Sequence, residues 1–187
     1  MKRGEFKSKN LKDWYEEINS FQCEWHGHDY NEMHRVIKEY LKEGDSYKEF
    51  GVMQGGTASC AMLQNPSSVE LVDINFTRFA PYRPIFEEYC KENDIILKEY
   101  AMSSDSLGCL SDVDMLLIDS QHTSMHLQRE LNTHATSVRK HIVCHDTNVV
   151  SNGMQKVLEK FVKNNSDWKM VEYYQSNVGF TLLSKVV

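Results

Sequence analysis

A strand-like run, Tyr47-Lys48-Glu49-Phe50, stops at Gly51, passes through Val52-Met53-Gln54 and reaches a glycine pair, Gly55-Gly56. Eighteen residues beyond Gly55, a second run, Val69-Glu70-Leu71-Val72, closes on Asp73. This pairing constrains the fold more than any other part of the chain. A strand that turns through glycines into a helix lets its backbone approach a ligand closely, because glycine has no Cβ and takes positive φ readily. A carboxylate ending the next strand then stands where it can accept hydrogen bonds from two ribose hydroxyls, as an acidic residue does about 20 residues downstream in dinucleotide folds. The spacing is G-x-x-x-G, not the tighter G-x-G-x-x-G that seats a pyrophosphate on a helix N-terminus. It points to a nucleoside without phosphates rather than to NAD.

Around this unit the pattern alternates. Strands are expected at about 47–52, 68–74, 95–101, 114–119 and 141–145, and helices near 56–63, 84–93, 124–140 and 153–164. Alternating β and α means a parallel, doubly wound sheet. Asp29-Tyr30-Asn31-Glu32 has the form of a capping box, with Asp29 as N-cap and Glu32 at N3; it opens a helix that ends at Gly44. The last helix carries Met154, Val157, Leu158, Phe161 and Val162 at helical spacing, a stripe suited to packing on a sheet. After it, 168–175 and 178–185 read as a hairpin turning at Ser176-Asn177. Residues 1–28 form an aromatic-rich segment with Trp14, Tyr15, Phe21 and Trp25, either a lid over an acceptor or packing on the sheet's edge; 29–187 form one binding domain.

Four segments in this order resemble those of the class I S-adenosyl-L-methionine-dependent methyltransferases. Their first motif, E/D-x-G-x-x-x-G, is matched by Glu49, Gly51 and Gly55, and their acidic end of strand two by Asp73. The run Asp114-Met115-Leu116-Leu117-Ile118-Asp119-Ser120-Gln121-His122 is similar to the D-x-x-x-I-D-G-D-H of small O-methyltransferases akin to the cephalosporin-biosynthesis and sugar methyltransferases. His145-Asp146-Thr147 is similar to the same subgroup's H-D-T. The resemblance implies an α/β, Rossmann-like seven-stranded sheet in the order 3-2-1-4-5-7-6 with an antiparallel C-terminal strand. It implies that S-adenosylmethionine is held by Glu49, Gly51, Gly55 and Asp73, with Met53 and Gln54 beside the methionine moiety. Ser104 or Asp105 would meet the adenine, an ordinary polar loop being the alternative.

Methyl transfer to oxygen is an in-line displacement, so the protein's tasks are alignment and raising the acceptor's nucleophilicity. Asp119 and Asp146, at neighbouring strand ends, are suited to hold Mg2+ or another divalent cation, and the resembled subgroup includes metal-dependent members that use these positions. His145 adds a nitrogen ligand or a base, giving Asp119, His145 and Asp146 as the metal set; His122 follows Asp119 closely enough to serve as base. The catalytic assignment is therefore Asp119, His122 and His145. The alternatives are helix caps for the two aspartates and a buried, hydrogen-bonded role for His145. His122 and His126, four apart, with Asp119 form a rival zinc constellation, without the glutamate of H-E-x-x-H. His26-Gly27-His28 reads as a loop. The subgroup's second aspartate is Gln121 here and its glycine is Ser120; glutamine cannot take a proton.

A net charge of −6 offers no basic footprint, so no nucleic-acid partner is expected and the acceptor is expected to be a small molecule. A homodimer is left open. No apolar run approaches a membrane span, and five cysteines without a C-x-x-C pair fit reduced thiols of a cytoplasmic protein. The expected activity is S-adenosylmethionine-dependent methylation of a small-molecule hydroxyl; the alternative, prompted by Gln121, is a catalytically silent nucleoside binder.

Overall fold

Two helices precede the first strand. α1 (Leu11–His26) lines up Leu11, Trp14, Ile18 and Phe21 on a buried face, and the Asn10 side chain caps it by accepting from the Asp13 backbone N–H at 2.9 Å. Trp14 stacks on Tyr82 with ring centroids 3.9 Å apart. Trp14 and Phe21 belong to the core, and neither they nor Tyr15 line the cleft described below. The computed structural model describes residues 6–108 and 111–186; Cys109 and the side chains of Trp25 and His26 lie outside the described residues. α2 (Asp29–Tyr40) buries Met33, Val36 and Ile37 as its spacing predicts, but its N-cap is His28 and no side chain caps it. The capping box does not form, because the Asp29 carboxylate points inward. The helix also stops short of Gly44, as Leu41 is already extended.

The sheet comprises β1 (Ser46–Phe50), β2 (Ser68–Asp73), β3 (Ile96–Ala101), β4 (Val113–Ile118), β5 (Val138–His145), β6 (Trp168–Tyr174) and β7 (Phe180–Lys185). Their order is β3-β2-β1-β4-β5-β7-β6, with β7 antiparallel to both β5 and β6 and the other pairs parallel. The period of two sends Tyr47, Leu71, Met115 and Val143 to one face and Phe50, Val72, Leu116 and Ile142 to the other. α1, α2, α3 (Gly56–Met62) and α4 (Arg83–Glu92) cover the first face, and α5 (Ser124–His134) and α6 (Met154–Asn164) the second. The helix expected over 124–140 ends at His134, and β5 begins at Val138. Arg139 and Lys140 look helical in sequence, yet on the strand they reach Asp114 at 2.7 Å and Asp45 at 2.5 Å.

The described cysteines are free, Cys60, Cys90 and Cys144 buried and Cys23 half-buried. Among the described residues no helix is long and apolar enough to cross a membrane. The parallel strands β1, β2, β4 and β5 end at one edge, where ligands bind in open α/β sheets.

Candidate active site

Gly51 has φ 87°, and a Cβ built on it would lie 2.1 Å from the Asp119 carbonyl oxygen. No other residue type fits there. The Gly51 N–H donates to Val72 O at 2.9 Å and the Asp119 N–H to Phe50 O at 2.8 Å, stitching together the ends of β1, β2 and β4. Met53 sits in the left-handed region at φ 52°, held by Asp73: Oδ2 accepts from the Val52 and Met53 N–H groups at 2.8 and 3.1 Å. Oδ1 accepts from the Asn75 N–H at 3.0 Å. Asp73 therefore shapes the turn before any ligand arrives. Oδ2 is taken up by two N–H groups, so only Oδ1 keeps a lone pair to spare for the ribose hydroxyls expected at this carboxylate.

Gly51, Met53 and Asp73 line a cleft of about 890 Å³ that continues to Asp119, His145 and Asp146. Four residues assigned to the cofactor, Glu49, Gln54, Gly55 and Asp105, do not line it. Glu49 is buried under the turn and accepts from the Tyr47 hydroxyl at 2.7 Å; burial pushes its pKa well above the carboxylate range. Gly55 faces Phe79 and Phe86, whose rings a Cβ would meet at 2.9 and 2.8 Å. Ser104 lines the cleft, but its hydroxyl donates to Glu130 and lies 3.1 Å from His126 Nε2. Asp105 does not line it and accepts from Arg129 Nε at 2.8 Å and from the Ser103 hydroxyl at 2.7 Å. Glu130 escaped the sequence reading. It is buried, with Ser120 Oγ donating to it at 2.6 Å, and burial raises its pKa. An acidic residue between the apolar positions Leu127 and Leu131 was the available signal.

At the far end, ligand atoms of Asp119, His145 and Asp146 all lie within 4.8 Å of one another, and no other such cluster of three occurs among the described residues. This is the metal set read from sequence. Asp146 takes φ 57°, a conformation aspartate tolerates better than most residues. Neither aspartate caps a helix: Thr123 is the N-cap of α5 and Gly153 that of α6. His145 is 3% exposed; its Nδ1 lies 3.1 Å from Asp119 Oδ1 and its Nε2 3.4 Å from Asp29 Oδ2. Burial lowers its pKa, but Asp119, Asp29 and Asp146 outweigh that and raise it to about 10. For Asp119, burial acts upward and the two histidines prevail, holding it at about 2.

His122 spans the carboxylates, its Nε2 3.2 Å from Asp119 and its Nδ1 2.5 Å from Asp146. The hydrogen bonds to Asp119 and then Asp146 raise its pKa to about 10. In this position it keeps its proton, so the expected base role requires that it leave the carboxylates. The rival zinc constellation does not assemble. His122 precedes α5, so it shares no helical face with His126, whose Nε2 turns to Ser104. The donor set of two carboxylates and one imidazole fits a divalent cation. Nδ1 of His145 and Oδ1 of Asp119 are both acceptors unless a proton or a cation lies between them, and mixed oxygen and nitrogen ligation suits Mn2+ better than Ca2+.

Among solved structures, the chain is similar to SMU.1697c of Streptococcus mutans, assigned as a methyltransferase and solved with S-adenosylhomocysteine. That match has 9% identity and a TM-score of 0.65, and covers 84% of this chain and 98% of that one. An assigned rRNA methylase from Clostridium thermocellum matches at 13% identity and TM-score 0.63, over 84% of this chain and 97% of that one. The fold is that of the class I methyltransferases. The tRNA methyltransferase TrmK of B. subtilis shares this methyltransferase fold at 10% identity and TM-score 0.55, covering 82% of this chain and 65% of that one. No family profile matches the sequence, and no curated protein does.

The expectation of no nucleic-acid partner is corrected by these matches. Proteins named as rRNA and tRNA methylases carry this fold, the first with almost no chain beyond the shared domain. A whole-chain charge sum says nothing of the potential in one groove.

Proposed function

We propose that the chain transfers the methyl group of S-adenosylmethionine to a hydroxyl oxygen brought against a divalent cation on Asp119, His145 and Asp146. The observation that carries this reading is the convergence of those three ligand groups in the same cleft as the Gly51–Met53 turn and Asp73. S-adenosylmethionine supplies an electrophilic methyl on a sulfonium, and a divalent cation supplies charge that lowers the acceptor hydroxyl's pKa. Gly51, Met53 and Asp73 seat and orient the donor. Asp119, His145 and Asp146 fix the acceptor side, so that the new O–CH3 bond forms in line as the S–CH3 bond breaks and a thioether departs. The acceptor's proton leaves to His122, which can accept it once it no longer bridges the two carboxylates.

A small-molecule hydroxyl is the acceptor we favour, since a cleft of about 890 Å³ is in the range of small-ligand sites. A second reading, a silent S-adenosylmethionine binder, is favoured by Gln121, which lines the cleft where the resembled subgroup has an acid. One experiment separates these. The purified protein is given methyl-labelled S-adenosylmethionine with a small-metabolite extract in one arm and total RNA in the other, each with Mn2+ or with EDTA. Label entering a small acceptor with Mn2+ and not with EDTA is the expected result. Label in RNA alone would move the acceptor class, and S-adenosylhomocysteine binding without transfer in either arm would establish the binder.

A further inference from the structure

Asp29 opens α2, the place where aspartate ordinarily caps, yet it makes no cap. It is 1% exposed. Its Oδ2 faces His145 Nε2 at 3.4 Å, and its Oδ1 accepts from Asn177 Nδ2 at 3.3 Å. A carboxylate withdrawn from water is costly unless its partners compensate, and these partners come from 116 and 148 residues away. The surroundings are built around the contact. Gly27, at φ 97°, passes so close to Asn177 that a Cβ would lie 2.6 Å from its Nδ2. The adjacent Tyr30 ring lies 4.9 Å from the His145 imidazole.

We propose that Asp29 is a positioning residue of the cation site: by accepting the Nε2–H of His145 it fixes the imidazole tautomer and turns the Nδ1 lone pair between Asp119 and Asp146. The proposal rests on the cation reading above. Nδ1 lies 3.1 Å from Asp119 Oδ1 and 3.9 Å from Asp146 Oδ2, so it already faces the place where a shared ion would sit. A metal-ligating histidine needs its second nitrogen held, because the hydrogen bond there decides which nitrogen keeps the lone pair. Without Asp29, the imidazole is free to carry its proton on Nδ1 and spend that nitrogen on Asp119. The first two helices thus contribute a working carboxylate to the site as well as packing.

The test uses Mn2+ as probe, read by the paramagnetic resonance of the free ion, on the whole chain with S-adenosylhomocysteine bound. Asp29→Ala is expected to weaken Mn2+ binding about 10- to 100-fold, the usual loss for an outer-shell partner. Asp29→Asn should recover most of it, since the amide oxygen still accepts from Nε2–H. Affinity for S-adenosylhomocysteine should hold in both, which also reports that they fold. Mn2+ binding by Asp29→Ala equal to wild type overturns the proposal and leaves the cation reading standing; no Mn2+ binding by wild type overturns both. Nitrogen NMR of labelled histidine in the wild-type protein saturated with Zn2+, a diamagnetic ion that imidazole ligates, needs no variant: with the ion bound, a proton on Nε2 of His145 is expected, and a proton on Nδ1 overturns the proposal even if Asp29→Ala does not fold.

Discussion

Replacing Gly51 by alanine tests whether the turn after β1 and the proposed cation site are one rigid unit. Two costs combine at this position. A side chain at φ 87° pays the left-handed penalty of about 1–2 kcal/mol. The added Cβ would also lie 2.1 Å from Asp119 O and 2.6 Å from Asp119 C, which are backbone atoms of the neighbouring strand end. Overpacking of that kind adds about 1–3 kcal/mol. Gly44 separates the two costs, because its φ is 81° and nothing lies within 4 Å of its built Cβ. Gly44→Ala should therefore lower Tm by about 2–4 °C, from about 1 kcal/mol. Gly51→Ala should lower it by about 6–12 °C, from about 3 kcal/mol. Because the clash is relieved only by moving Asp119, Gly51→Ala should also weaken Mn2+ binding about 10-fold or more, while Gly44→Ala leaves it unchanged. Scanning calorimetry and Mn2+ titration of both variants provide the measurements. Equal Tm losses, or an undiminished Mn2+ affinity in Gly51→Ala, would falsify the rigid coupling.

Glu49→Gln should raise Tm at pH 7, with a gain that vanishes towards pH 4. Burial holds the Glu49 carboxyl well above its ordinary pKa, so above about pH 4.3 the unfolded chain loses a proton that the folded one keeps, costing up to about 1.4 kcal/mol per pH unit; a pH-independent difference refutes this. Asp73→Ala should weaken S-adenosylhomocysteine binding by about 1–3 kcal/mol in calorimetry and also lower Tm, because three backbone N–H groups lose their acceptor. Asp119→Asn and Asp146→Asn should each cut turnover by about 10²-fold or more with S-adenosylhomocysteine affinity near wild type; full activity in EDTA alongside inactive variants would assign proton abstraction to the carboxylates instead.

Local rules carried much of the fold. β2, β4 and the end of β5 are largely apolar and bounded by turn residues, and the G-x-x-x-G turn, the carboxylates at strand ends and the hairpin at Ser176-Asn177 are all legible within a few residues. α1 was legible in principle, since Leu11, Trp14, Ile18 and Phe21 fall on one helical face, but its aromatic content suggested other uses. What stayed hidden depends on how each residue is placed in the folded chain. Asp29-Tyr30-Asn31-Glu32 satisfies a capping box on paper, yet the carboxylate is drawn to His145 and Asn177. Glu49 matches a binding motif but lies beneath the turn against Tyr47. His122 and His126 have metal spacing only if one helix holds both, and α5 starts between them.

The Asp29–Asn177 contact joins two points 148 residues apart, and that separation sets an order of assembly. The turn at Gly51 and Asp73 can close early, from neighbouring segments. The final geometry around His145 must wait for the hairpin between β6 and β7 to be made and docked, because long-range closure comes late and slowly. A nascent or interrupted chain ending before that hairpin can shape the donor turn while its acceptor side is still incomplete. The geometry around His145 thus depends on the docked hairpin, whose Phe180 pairs with His145 itself.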